Sequence, residues 1–199
     1  MYSTKTAIES TGGNFIPAGI NDNVYLDGVS VMKSPNGRDY IEFVFKDSSD
    51  REATMTEWKN DKNMFIKTDA ELQRADNLQF GRILQVIKCF TNEVPEIEFG
   101  SFLDMITWVQ QYLTEKMQAT PKKPLRLKVT YDNKGFVRVS KNGIFVEPMS
   151  VEESRIVLTG RDKVVRPEIP VDKEETPKTD PLSTTTIPEI NNTDDDLPF

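Results

Sequence analysis

Asn23-Val24-Tyr25-Leu26-Asp27-Gly28-Val29-Ser30-Val31-Met32-Lys33 reads as a strand whose apolar parity breaks in the middle. Val24 and Leu26 share one face, Val29 and Val31 fall on the other, and Asp27-Gly28 stands at the break. Side chains alternate along a strand, so one inserted residue sends every later side chain to the wrong face unless the backbone bulges to absorb it. A glycine at the slip predicts such a bulge. It also predicts a sharp bend that lets one strand serve two parts of a curled sheet.

The sequence on the C-terminal side supplies the rest of that sheet. Ser34-Pro35-Asn36-Gly37 has turn chemistry. Tyr40 to Lys46 then alternates, with Ile41, Phe43 and Phe45 inward and Tyr40, Glu42, Val44 and Lys46 outward. After Asp47 to Asp50, a third strand runs from about Arg51 to Trp58, with Ala53 and Met55 inward and Thr54, Thr56 and Trp58 on the other face. Two helices follow. The first is expected to be capped at Asp76-Asn77-Leu78-Gln79, with Phe80, Ile83, Leu84 and Ile87 at helical spacing. The second starts at Ser101-Phe102-Leu103-Asp104, with Phe102, Ile106, Val109 and Leu113 on one stripe. Pro95 separates them and Pro121 ends the second.

A hairpin comes next. Leu125, Leu127, Val129 and Tyr131 alternate with Arg126, Lys128 and Thr130 before Asp132-Asn133-Lys134-Gly135 turns the chain into Phe136-Val137-Arg138-Val139. Ile144 to Val146 adds a short closing strand. Three strands, a helical connection and a two-strand hairpin follow the order of the five-stranded OB-type barrel, a mainly β fold that commonly binds oligonucleotides through strands 2 and 3. The expected organisation is an N-terminal arm over 1–20, the barrel over 21–150, a flexible linker over 151–193 and a tip over 194–199. At 199 residues the chain suits one domain with an appendage.

The formal charge of −7 argues against nucleic acid until it is divided along the chain. Residues 167–199 hold nine acidic side chains against Lys173 and Lys178, which accounts for the whole imbalance, and residues 1–166 are neutral. The C-terminal stretch is rich in Pro, Thr, Asp and Glu and poor in apolar residues, a composition that cannot offset its own ordering entropy. Within the neutral body, residues 122–141 carry Lys122, Lys123, Arg126, Lys128, Lys134, Arg138 and Lys141 against Asp132 alone. A cationic surface of this kind grips phosphates through counterion release.

Aromatic rings supply the second half of single-strand binding, because every base has a face that can stack. Phe43, Phe45, Phe80, Phe102 and Trp108 sit where packing is the default reading. Tyr40, Trp58 and Phe136 fall among polar neighbours and are the stacking candidates. Arg38, Lys46 and Lys134 complete the expected DNA-binding set. Other chemistry has little footing. The chain has no histidine and one cysteine, Cys89, so there is no imidazole base or internal disulfide. It has no Gly-rich phosphate loop, nucleophile elbow or paired carboxylates. No enzymatic activity, metal or cofactor is expected. The N-terminus lacks the layout of a secretory signal and no run is apolar enough to span a membrane, which predicts a cytoplasmic protein.

The last six residues, Asp194-Asp195-Asp196-Leu197-Pro198-Phe199, carry the most specific signal. A final Phe offers a ring and a carboxylate to an apolar pocket rimmed by Arg or Lys, the proline lowers the entropy lost on docking, and the aspartates steer the approach. The segment resembles the C-terminal tip of bacterial single-stranded-DNA-binding proteins. The resemblance implies that the barrel holds single-stranded DNA while the tip recruits replication, recombination and repair proteins of the polymerase, helicase, primase or nuclease class. The body departs from the usual bacterial sequence, with a longer arm and no Gly/Gln-rich linker, and points to a divergent relative of the kind phages and mobile elements encode. The sequence leaves open whether the chain forms a homo-oligomer. Two alternatives remain beside this reading: an adaptor that uses the tip without binding nucleic acid, and an RNA-binding or annealing protein. A carboxylate-dependent magnesium nuclease comes last.

Overall fold

The computed structural model describes residues 14–167. Strand β1 (Gly19–Lys33) is bent as its parity requires. Leu26 pairs with Phe45 and Gly28 with Val44 of β2 (Asp39–Lys46), so Asp27 is the extra residue of a bulge. A second irregularity lies between Asn21 and Val24, where Asn23 takes a φ of 58°. These two kinks mark a handover. The first part of β1 pairs with β4 (Leu125–Tyr131) and the remainder with β2. Val24, Leu26 and Val29 therefore all reach one core despite their broken parity.

β3 (Glu52–Trp58) pairs with β2, and Ile41, Phe43, Phe45, Ala53 and Met55 are buried as their alternation predicts. β5 (Val137–Val139) and β6 (Val146–Pro148) both pair with β4 on the side away from β1. They are two halves of one strand. Ser140 N–H donates to the Lys128 carbonyl at 2.9 Å and Lys128 N–H to the Phe145 carbonyl at 2.8 Å, so residues 141–144 loop out between them. The order β3-β2-β1-β4-β5, with β3 and β5 facing across the remaining seam, is a nearly closed five-stranded antiparallel barrel of the OB type. The closing strand expected over 144–146 lies two residues further on.

Helix α1 (Asp69–Lys88) begins two turns earlier than the spacing of its apolar residues suggests. Thr68 is the N-cap. Its hydroxyl accepts from Glu71 N–H at 3.2 Å, and the Glu71 carboxylate accepts from Thr68 N–H at 2.9 Å. The Asp76-to-Gln79 stretch is not a cap. Asp76 and Gln79 both accept from the Asn60 side chain, at 2.9 and 3.2 Å. Helix α2 (Phe102–Ala119) starts where expected, with Ser101 accepting from Asp104 N–H at 3.1 Å. Ile83, Val86 and Ile87 of α1 and Ile106, Val109 and Leu113 of α2 join the core. No helix among the described residues is long and apolar enough to cross a membrane.

Both expected appendages are partly built into the body. Ile16 is buried, its N–H donating to the Glu52 carbonyl at 3.0 Å, so residues 14–16 of the arm pair with the start of β3. Residues 151–167, expected as linker, run along β4 and its hairpin. Ile156 is buried, Tyr131 N–H donates to the Lys163 carbonyl at 2.8 Å, and Lys163 Nζ donates to Asn133 Oδ1 at 2.8 Å. The tip, Asp194 to Phe199, lies outside the described residues.

Candidate nucleic-acid interface

A groove of about 480 Å³ runs over the outer face of β2 and β3, lined by Tyr40, Glu42, Thr54, Thr56, Trp58, Arg138 and Lys141 among others. The antiparallel register explains its floor. Tyr40 pairs with Trp58, Glu42 with Thr56 and Val44 with Thr54, so these outward side chains stand in cross-strand rows. Tyr40 and Trp58 stack with centroids 4.2 Å apart and planes 28° from parallel. The Arg38 guanidinium lies over Trp58 at 5.7 Å and donates to the Lys59 carbonyl at 2.9 Å, with Asp61 at 3.4 Å. Trp58 remains 39% exposed.

The other wall comes from across the seam. Arg138 Nη1 donates to Thr54 Oγ1 at 3.3 Å and its guanidinium lies 5.9 Å from the Phe136 ring, which is 55% exposed. Phe136 and Lys134 are held by their turn, where Asp132 Oδ1 accepts from both backbone N–H groups at 2.9 and 2.8 Å and Gly135 takes a φ of 76°. Lys141 Nζ donates to the Thr56 carbonyl and lies 3.2 Å from Glu57 Oε1.

Glu57 is the residue that the sequence reading missed. It shares the inward parity of Ala53 and Met55, and a carboxylate on an apolar face is the signal that could have revealed it. Arg82 holds both its oxygens, at 2.7 and 2.8 Å, and Gln79 Nε2 donates to it at 3.0 Å and to the Trp58 carbonyl at 2.7 Å. Burial pushes the Glu57 carboxyl up, but the Arg82 hydrogen bonds, Lys141 and Gln79 outweigh it and hold the group below its ordinary range. Burial lowers Lys141 by more than Glu57 raises it. The charged network beneath the groove thus fixes the end of β3 and the 141–144 loop against α1.

The expected DNA-binding residues do not form one surface. Arg38, Tyr40, Trp58, Phe136, Arg138 and Lys141 come together along the groove and seam, with Lys134 at the hairpin tip. Lys122 and Lys123 lie elsewhere, over the rings of Tyr25 and Phe90 at 5.0 and 5.9 Å. Lys46 is paired with Asp27 at 2.8 Å. Arg126 is neutralised between Asp22 at 2.7 Å and Glu147 at 2.8 Å, so it offers little to a phosphate.

Lys128 is placed wrongly by the sequence pattern. It points away from the barrel interior, as its alternation with Leu127 and Val129 requires, but residues 157–162 cover it and leave it 1% exposed. Its Nζ donates to the Asn142 and Val157 carbonyls at 2.8 and 3.1 Å and to Asp162 Oδ2 at 3.1 Å. Nothing in the strand pattern signals that cover, because it comes from residues that the expected domain bounds place in the linker. The hairpin's cationic excess is thus smaller at the surface than in the sequence.

No family model matches the chain, and a search of curated proteins finds no significant match. Among the described residues, no three His, Cys, Asp or Glu side chains are grouped as metal ligands.

Proposed function

We propose that this protein binds single-stranded DNA, with little sequence preference, across the outer face of β2 and β3, and that its Asp194–Phe199 segment recruits replication, recombination or repair proteins. One observation carries the reading. The Tyr40–Trp58 stack stands in a groove flanked by Arg38, Arg138 and Lys141, which combines a stacking platform with cations placed beside it. Duplex DNA buries its base faces and cannot use such a platform, whereas an unpaired strand presents them. The hydroxyls of Thr54 and Thr56 on the floor can each donate or accept, which suits a binder indifferent to sequence.

Trp58 emission tests this. In a Trp108→Phe background, oligo-dT quenches the remaining tryptophan to saturation, and duplex DNA of equal length at the same concentration does not. Equal quenching by both, or none by either, contradicts the proposal. An RNA oligomer of the same sequence as a DNA strand reports whether the sugar matters.

A further inference from the structure

A second recess adjoins the groove. Its volume is about 460 Å³, and its lining joins Lys141, Asn142 and Gly143 of the looped-out segment to Thr159, Gly160 and Arg161. Lys141 lines both the groove and the recess, so the two are neighbours across one side chain.

The walls are held from beneath by a buried ion pair. The Asp162 carboxylate accepts from Ser140 Oγ at 2.8 Å and from Asn142 Nδ2 at 3.3 Å on one wall, and from Thr159 N–H at 2.8 Å and Thr159 Oγ1 at 2.9 Å on the other. Lys128 closes the clamp through Asp162 and the Asn142 carbonyl. Helix α1 adds a third restraint, since Gln85 Nε2 donates to the Gly143 carbonyl at 3.1 Å and Gln85 Oε1 accepts from Phe145 N–H at 3.2 Å. The recess is therefore preorganised.

Its chemistry favours an anion. No acid lines the recess: the charge of Asp162 beneath it is spent on Lys128 and the four donors of the two walls, and that of Glu57, 3.2 Å from Lys141, is shared with Arg82. Arg161 is exposed and makes no ion pair among the described residues. Gly143, at a φ of 62°, and Gly160 each leave open space where a Cβ would stand, so a phosphate can approach the backbone.

We propose that this recess receives a phosphodiester of the bound strand, with Arg161 as the cation that contacts it, so that the DNA path leaves the β2–β3 face over Lys141 and continues between the 140–143 and 159–161 segments. The inference rests on the groove being a single-strand site and adds to it a direction of travel and a residue from outside the barrel's strands.

The test measures the affinity of the full chain, carrying Trp108→Phe as the reference background, for oligo-dT of increasing length, by anisotropy, with Trp58 emission followed in parallel. Arg161→Ala loses about fivefold in affinity at 0.1 M salt for oligomers long enough to leave the groove, and its salt slope becomes shallower by about 0.7, the value of one single-strand phosphate. Arg161→Glu loses more. Short oligomers bind both variants as they bind wild type, and the saturating quench of Trp58 is unchanged. Arg166→Ala, which removes a cation of the same segment outside the recess, has a smaller effect at every length. Equal losses at all lengths, or a wild-type slope in Arg161→Glu with Trp58 still quenched, overturn the recess and leave the groove standing. Absence of any Trp58 quench in the Trp108→Phe reference overturns the groove reading itself.

Discussion

Replacing Lys128 by Met separates the structural role of this residue from the surface role that its strand pattern suggests. Methionine keeps an unbranched apolar stem of similar length, so the packing beneath residues 157–162 survives while the ammonium is lost. Two carbonyls, of Asn142 and Val157, then lose a donor, and the Asp162 carboxylate loses its counter-charge. Removing one member of a buried pair costs about 3–5 kcal/mol. Asp162 keeps its bonds from Ser140, Asn142 and Thr159, which places the loss at the lower end, about 3 kcal/mol. With a urea slope of about 2 kcal/mol per molar, the unfolding midpoint falls by about 1.5 M. The assay is equilibrium urea unfolding at neutral pH followed by far-UV circular dichroism. A midpoint equal to wild type, together with a shallower salt dependence of DNA affinity, would show that Lys128 is a surface cation and refute the reasoning.

Two further outcomes rest on contacts of the barrel and a third on the sequence of the tip. Trp58→Ala removes a stacking face worth about 1–3 kcal/mol, so oligo-dT affinity falls roughly five- to 150-fold while the urea midpoint moves much less; an affinity within twofold of wild type would contradict the platform. Glu57, Asp47, Glu147 and Asp162 all titrate below their ordinary values in the fold, because hydrogen bonds and neighbouring cations outweigh the burial that pushes each carboxyl up. A carboxyl lowered by folding adds stability above its unfolded value and loses it as the pH falls through its folded value. Unfolding free energy is therefore expected to be flat from about pH 8 to 5 and to drop steeply below about pH 4, whereas a maximum below pH 4 would contradict this account. Deleting Asp194 to Phe199 keeps or raises DNA affinity and abolishes capture of replication and repair proteins; a large loss of DNA affinity would count against the division of labour between barrel and tip.

The barrel was legible because its signals are local. The parity break at Asp27-Gly28 locates the bulge of β1, the alternation of Ile41, Phe43 and Phe45 gives the inner face of β2, and the turn at Asp132 to Gly135 fixes the hairpin. Outward parity also put Tyr40 and Trp58 on the polar face of their strands, and the register of β2 against β3 is what brings them side by side. The start of α1 was missed because its first two turns offer only Ala70, Leu72 and Ala75, too few and too small for an apolar stripe, and the cap at Thr68 and Glu71 lies ahead of them. Lys128 and Arg126 were misplaced for a different reason. A count of cations along a hairpin contains no information on which carboxylates arrive from elsewhere, and Asp162, Asp22 and Glu147 all do. Glu57 went unnoticed because Gln79, Arg82 and Lys141, which hold it, are remote in sequence, and Arg161 because the recess it lines is completed by residues 141–143.

The dependence of oligo-dT affinity on salt tests the central claim most directly. With Lys141 held by Glu57, the cations left to meet phosphate are Arg38 and Arg138 beside the groove and Lys134 at the hairpin tip. Each single-strand phosphate they neutralise contributes about −0.7 to the slope of log affinity against log salt, so the account predicts a slope of about −2 or steeper, with duplex DNA binding far more weakly at every salt concentration. A flat response, or duplex bound as tightly as single strand, would contradict it.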